Sequence, residues 1–154
     1  MSFRVQGLDP ELFADLRGLP EVELAAKGVE RVFVTEKPSA PCRITLDDAE
    51  VGESVLLLSY DHQPADTPYR QQGPIFVREQ GKRFEGVDMV PPALARRTLS
   101  LRGFDARHTM IEAEVVEGAD AKAMIDRFFR NPDVAYIHAH YARRGCFAAM
   151  VTRA

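Results

Sequence analysis

Apolar and polar residues alternate with a period of two along several stretches of this chain, which predicts half-buried strands. In Cys42–Asp47 the residues Cys42, Ile44 and Leu46 oppose Arg43, Thr45 and Asp47. In Thr98–Phe104, Leu99 and Leu101 oppose Ser100 and Arg102, and in Met110–Val116, Ile111, Ala113 and Val115 oppose Glu112 and Glu114. Phe3–Gln6, Val29–Thr35, Ile75–Arg78 and Lys82–Phe84 read as further strands, and Ser54–Tyr60, apolar on both faces, as a central one. A helical period appears at Ala121, Met124, Ile125, Phe128 and Phe129, preceded by Asp120 as a cap and closed by Asn131-Pro132. Nearer the start, Asp9-Pro10-Glu11 opens a short helix with Leu12, Phe13 and Leu16 inward, and a second runs from Glu21 to Lys27 with Gly28 as its stop.

These elements predict one α+β domain over residues 1–154: a mixed, mainly antiparallel sheet of about six to eight strands. The N-terminal helical segment and the amphipathic Ala121–Arg130 helix are expected on one face of it. Between Asp61 and Gly73 no period is present, so a long polar loop is expected there.

The stretch Ala135–Met150 carries two of the four histidines and one of the two cysteines. Alternation puts Tyr136, His138, His140 and Ala142 on one face and Ala135, Ile137, Ala139 and Tyr141 on the other. A three-residue turn Arg143-Arg144-Gly145, with Gly145 left-handed, pairs Ala142 with Cys146. That register sends Phe147, Ala149 and Val151 to the apolar face and Cys146 to the histidine face. A two-residue turn inverts this, because a one-residue slip exchanges the inside and outside of a strand.

Composition narrows the function classes. With 45% hydrophobic and 28% charged residues the chain is that of an ordinary globular protein. Lys plus Arg number 20 against 23 Asp plus Glu, so no general basic field attracts nucleic acid. The opening MSFRVQGLDP has no apolar leader and the aliphatic run Val55–Leu58 is far too short to span a bilayer, so no membrane partner and a cytoplasmic location are expected. Cys42 and Cys146 form no CxxC pair and are expected as thiols, Cys42 as a small core residue.

No phosphate-loop, dinucleotide, HExxH or GxSxG motif is present, and no cofactor is indicated. His138 and His140, two apart on a strand, lie roughly 7 Å apart on one face, which suits a metal if Cys146 or His62 completes the set. Hydrogen bonding to neighbours accounts for the same pair without a metal. Cys146 beside Arg143 and Arg144 is a candidate thiolate working with His138, or else a buried inert thiol. A third reading is a pocket: Arg43 and Arg102 for an anionic group, with Tyr60, Tyr69 and Arg70 closing over it, beside His62, His138 and Cys146. The alanines at 139, 142, 148 and 149 equally admit a packed helix or a second subunit in a homodimer.

The segments PCRITLDDAEVGE, VLLLSY, TPY, GPIFV and AYIHAHYARRGCFAAMVTR resemble a bacterial family of short proteins known as a domain of unknown function. The resemblance implies a bacterial single-domain protein and covers most of the chain from Pro41 onward. It includes counterparts of Cys42, Arg43, Tyr69, Gly73, Pro74, His138, Gly145, Cys146 and Phe147. Family members often differ at His140, which argues against a two-histidine metal site. The favoured expectation is a non-catalytic module binding a small ligand or partner; the alternative is a metal- or thiol-dependent enzyme using His138 and Cys146.

Overall fold

The computed structural model describes residues 2–154. Nine strands form two sheets: β1 (Phe3–Gln6), β2 (Glu30–Phe33), β3 (Ser54–Gln63), β4 (Gln71–Arg78), β5 (Glu85–Val87), β6 (Thr98–Phe104), β7 (Met110–Glu117), β8 (Tyr136–Tyr141) and β9 (Phe147–Arg153). The helices are α1 (Glu21–Ala26), α2 (Pro92–Ala95) and α3 (Ala121–Arg130), with a 3-10 segment at Pro10–Leu16. One sheet runs β5-β1-β9-β8-β6-β7 and the other β2-β3-β4, with antiparallel neighbours throughout. The class is α+β as the alternations predict, but two sheets stand where one was expected.

The helical segments divide between them. The stripe of α3 buries Ala121, Ile125, Phe128 and Phe129 against Leu99, Leu101, Ile137, Ala139 and Val151 of the larger sheet. Burying each of those phenylalanines contributes about 2–3 kcal/mol. The helix carries the chain over β6, so that β8 lies parallel to β7 with β6 between them. The N-terminal helices instead place Phe13 and Leu24 with Leu56, Ile75 and Val77 of the smaller sheet. Expecting both on one face of a single sheet was therefore wrong. The Asp9 side chain accepts from the Glu11 N–H at 3.0 Å and caps its segment, whereas Asp120 makes no side-chain cap.

Two expected strands are absent. Cys42–Asp47 is a compact turn, with the Leu46 N–H donating to the Cys42 carbonyl at 3.0 Å and Leu46 at φ 53°. The alternation misleads because Arg43, on the apparently polar face, is 1% exposed. Its Nε donates to the Phe147 carbonyl at 2.7 Å and its Nη1 to the Pro41 carbonyl at 2.5 Å, which compensates burial of the guanidinium. Cys42 is fully buried as expected, and its sulfur accepts from the backbone N–H of Ile44, Thr45 and Arg78 at 3.2–3.4 Å. Lys82–Phe84 lies outside any strand; the pairing residues are Glu85–Val87, on β1. The loop expected over Asp61–Gly73 is shorter, since β3 continues to Gln63 and β4 begins at Gln71.

Candidate functional site

One face of the larger sheet is covered by α3, and the other turns Ser100, Arg102, Phe104, Tyr136, His138 and His140 toward the far end of the β3–β4 hairpin. The register sets this grouping: Arg102 pairs with His138, Phe104 with Tyr136 and Ser100 with His140. Cross-strand partners share a face, so strand alternation alone places all six together. On the hairpin, Tyr60 pairs with Gly73 but Gln63 with Gln71, an irregularity that takes up the extra length around Asp61 and His62. His62 is thereby only 7% exposed, with its ring centroid 5.0 Å from His140 and 6.1 Å from His138. His138 and His140 are 6.4 Å apart.

Phe147 packs against all three imidazoles. It stacks on His62 at 5.2 Å and meets His138 and His140 edge-on at 5.3 and 5.9 Å. This reverses the expected assignment of Phe147 and Cys146. The turn spans Ala142–Gly145, closed by the Tyr141 N–H on the Cys146 carbonyl, and Gly145 is left-handed at φ 79°. His138 pairs with Met150 and Ala139 with Ala149, as the three-residue turn predicts, but His140 pairs with Phe147, leaving Ala148 as an extra residue. That bulge swaps the faces of the residues before it. Cys146 accordingly packs with the core cluster of Ala139 and Tyr141, and its sulfur accepts from Arg43 Nη2 at 3.0 Å.

The same bulge corrects the thiolate grouping and the metal grouping completed by Cys146. Cys146 lies on the face opposite His138, so the set His138, His140 and Cys146 is not assembled. Among the described residues no group of three His, Cys, Asp or Glu side chains is placed to hold a metal ion.

A cavity of about 260 Å³ opens beside the histidines. His62, His138, His140, Tyr69 and Arg70 line it, together with Gln63, Gln71, Arg102, Phe104 and Met110. Of the pocket residues expected from sequence, Arg43, Tyr60 and Cys146 lie outside. Arg43 ties the Cys42–Asp47 turn to β9, and Tyr60 packs between Phe13 and Phe147 at 6.5 and 6.0 Å. Arg70 sits at the rim in a 3.9 Å ion pair with Asp61, and Tyr69 meets Phe104 edge-on. Sequence reading missed Gln63, Pro68, Gln71, Phe104 and Met110. The alternation of Ser100, Arg102 and Phe104 on one strand was the available signal for Phe104; nothing in the pattern marks Gln71.

Electrostatically the site is a cluster of neutral imidazoles beside Arg102, with Arg70 at the rim paired to Asp61. Burial, reinforced by His140, His62 and Arg102, pushes His138 down to about 3. Burial likewise takes His140 down to about 4, against the opposing bond to the Gly145 carbonyl. His62 is also held below the usual histidine range, chiefly by burial, with its contacts to Gln71 and to the Tyr60 backbone opposing. Desolvation disfavours the imidazolium, so all three rings are neutral near pH 7. His140 Nδ1 donates to the Gly145 carbonyl at 2.8 Å, and His62 Nε2 lies 3.1 Å from Gln71 Oε1. Among the described residues, both nitrogens of His138 are buried without a hydrogen-bond partner, and the buried Nδ1 of His62 makes no close hydrogen bond, although the Tyr60 backbone also acts on that ring.

Residues 39–153 match the model of a family described as a protein of unknown function, DUF1203. No curated protein and no solved structure gives a match. Among the described residues, no helix is long and apolar enough to cross a membrane.

Proposed function

Because the chain belongs to the DUF1203 family, a family of unknown function, we propose a function from the cavity itself: a non-catalytic module that binds one small molecule against the histidine face of β8. The observation that carries this reading is the set of unpartnered ring nitrogens on His138 and His62, both of which line the cavity. A buried polar group left without a partner costs about 1–3 kcal/mol. Three such atoms at one cavity are a cost that a ligand supplying partners offsets. The mixed wall, aromatic at Tyr69 and Phe104 and polar at Gln71 and Arg102, fits the usual make-up of a small-molecule site. Separation of Cys146 from His138 favours binding over thiol chemistry. The two cysteines are free thiols, which fits a bacterial cytoplasm as the setting.

A ligand-observed NMR screen of small soluble compounds, neutral and charged, tests this. Compounds that bind are expected to shift the ring resonances of His62 and His138 and to bind at least tenfold more weakly to Met110→Trp, whose larger side chain enters the cavity. A screen that yields no ligand, or only ligands indifferent to Met110→Trp and to those resonances, overturns the reading.

A further inference from the structure

Outside the site, the partly shielded Arg31, Arg78 and Arg97 are each paired with a carboxylate, and the buried Arg43 is held by the Phe147 and Pro41 carbonyls at 2.7 and 2.5 Å. Arg102 is different. Among the described residues it has no acidic partner, and its contacts are Ser100 Oγ at 3.3 Å, Gln71 Oε1 at 3.4 Å and His140 Nε2 at 3.5 Å, all neutral and long. A guanidinium presents up to five N–H donors in a planar fork suited to a carboxylate. Arg102 faces the cavity with its charge uncompensated.

The histidines ask for the opposite kind of group. A carbonyl only accepts, so His140 Nδ1, bound to the Gly145 carbonyl, carries the ring proton and its Nε2 is a lone pair met by Arg102 Nη1 at 3.5 Å. Gln71 Oε1 receives both Arg102 Nη1 and His62 Nε2, which identifies it as the amide oxygen. Gln71 thereby draws the single proton of neutral His62 to Nε2, in competition with the backbone of Tyr60, and leaves Nδ1 a buried lone pair. The neutral ring of His138, 1% exposed, adds one further lone pair and one N–H. The wall thus presents the uncompensated Arg102 and three acceptor nitrogens, one from each neutral imidazole.

A simple anion satisfies Arg102 and meets the lone pairs with repulsion; a neutral polyol satisfies the lone pairs and leaves the guanidinium unpaired. Taking the binding-module reading as its basis, we infer that the ligand is a small hydroxycarboxylate, its carboxylate on Arg102 and its hydroxyls donating to His62 Nδ1, His138 and His140 Nε2. The cavity of about 260 Å³ equals roughly nine water volumes at ~30 Å³ each, room for a six-carbon sugar acid.

Three matched probes separate the two requirements: gluconate carries both groups, hexanoate only the carboxylate, and sorbitol only the hydroxyls. Titration calorimetry of the wild-type chain at pH 7 is expected to give gluconate at least tenfold tighter than either of the others. Arg102→Gln is expected to lose at least tenfold for gluconate while leaving sorbitol unchanged, and Arg102→Lys to fall between, retaining the charge without the fork. Gluconate binding no tighter than hexanoate and sorbitol, or unaffected by a folded Arg102→Gln variant, overturns the inference. The wild-type comparison decides by itself if Arg102→Gln fails to fold. Ligands from the broad screen that lack a carboxylate would leave the binding-module reading standing while removing this one; an empty screen would remove both.

Discussion

Between pH 6.5 and pH 4.5 the folded protein is expected to lose about 5 kcal/mol of stability through His138 and His140 alone, about 2–3 kcal/mol each. The sign follows from where the protons bind. In the unfolded chain these imidazoles have the ordinary value of 6.5, whereas burial in the fold takes them down to about 3 and about 4. Below pH 6.5 the unfolded state therefore holds more protons, and stability falls as pH falls. The contribution is fully present above pH 6.5 and is lost progressively toward the folded values. His62, shifted in the same direction, adds to the slope. A loss of this size is comparable with the whole stability of many domains.

Carboxylates do not mimic the effect in its upper range. Asp47, Glu53, Glu79 and Asp88 are held below their ordinary values of 3.8–4.5, so their contributions are lost only at lower pH. Urea unfolding at pH 7, 6 and 5 is the measurement. The expected slope approaches 2–3 protons, about 1.4 kcal/mol per pH unit for each, and His138→Gln should remove about one of them. Stability that stays flat from pH 7 to pH 5 would contradict the buried, neutral cluster.

Gly7→Ala is expected to destabilise the protein by about 3 kcal/mol or more, at the upper end of what overpacking costs. A Cβ at Gly7 would lie 1.9 Å from the Ile44 carbonyl oxygen and 3.1 Å from that of Arg43. Those are backbone atoms held on several sides. The Leu8 N–H donates to the Arg43 carbonyl at 2.8 Å, the Phe84 N–H to the Ile44 carbonyl at 2.9 Å, and the Gly7 N–H to the Phe84 carbonyl at 2.9 Å. A shift of this junction also displaces Arg43, which holds the carbonyl of Phe147 beneath the histidines. Gly73→Ala is the control, since nothing lies within 4 Å of its Cβ position; its effect should stay within about 0.5 kcal/mol. Equal urea midpoints for the two variants would contradict the account of the junction.

The parts of this fold that were legible in the sequence are those where one local pattern decides. The α3 stripe required only its helical period, and the common face of His138 and His140 only the alternation of β8. The position of Cys146 was not legible, because it depends on a four-residue turn compensated by a bulge at Ala148. Each shifts the register by one, and neither has a distinctive residue. Arg43 was placed on a solvated face because polarity patterns cannot show a guanidinium satisfied by two carbonyls in the interior. His62 lies within a polar stretch without period, and an irregularity in β3 carries it inward to the other histidines. Local chemistry thus identified most of the cavity wall, while long-range pairing decided which residues reached it.

The most direct test of the central claim, a cavity walled by neutral imidazoles with bare nitrogens beside an unpaired guanidinium, is a long-range ¹H–¹⁵N spectrum of the histidine rings at pH 7. The expected result is His140 protonated on Nδ1, His62 protonated on Nε2, and His138 neutral. An imidazolium at His138, or the opposite tautomer at His140 or His62, would contradict it.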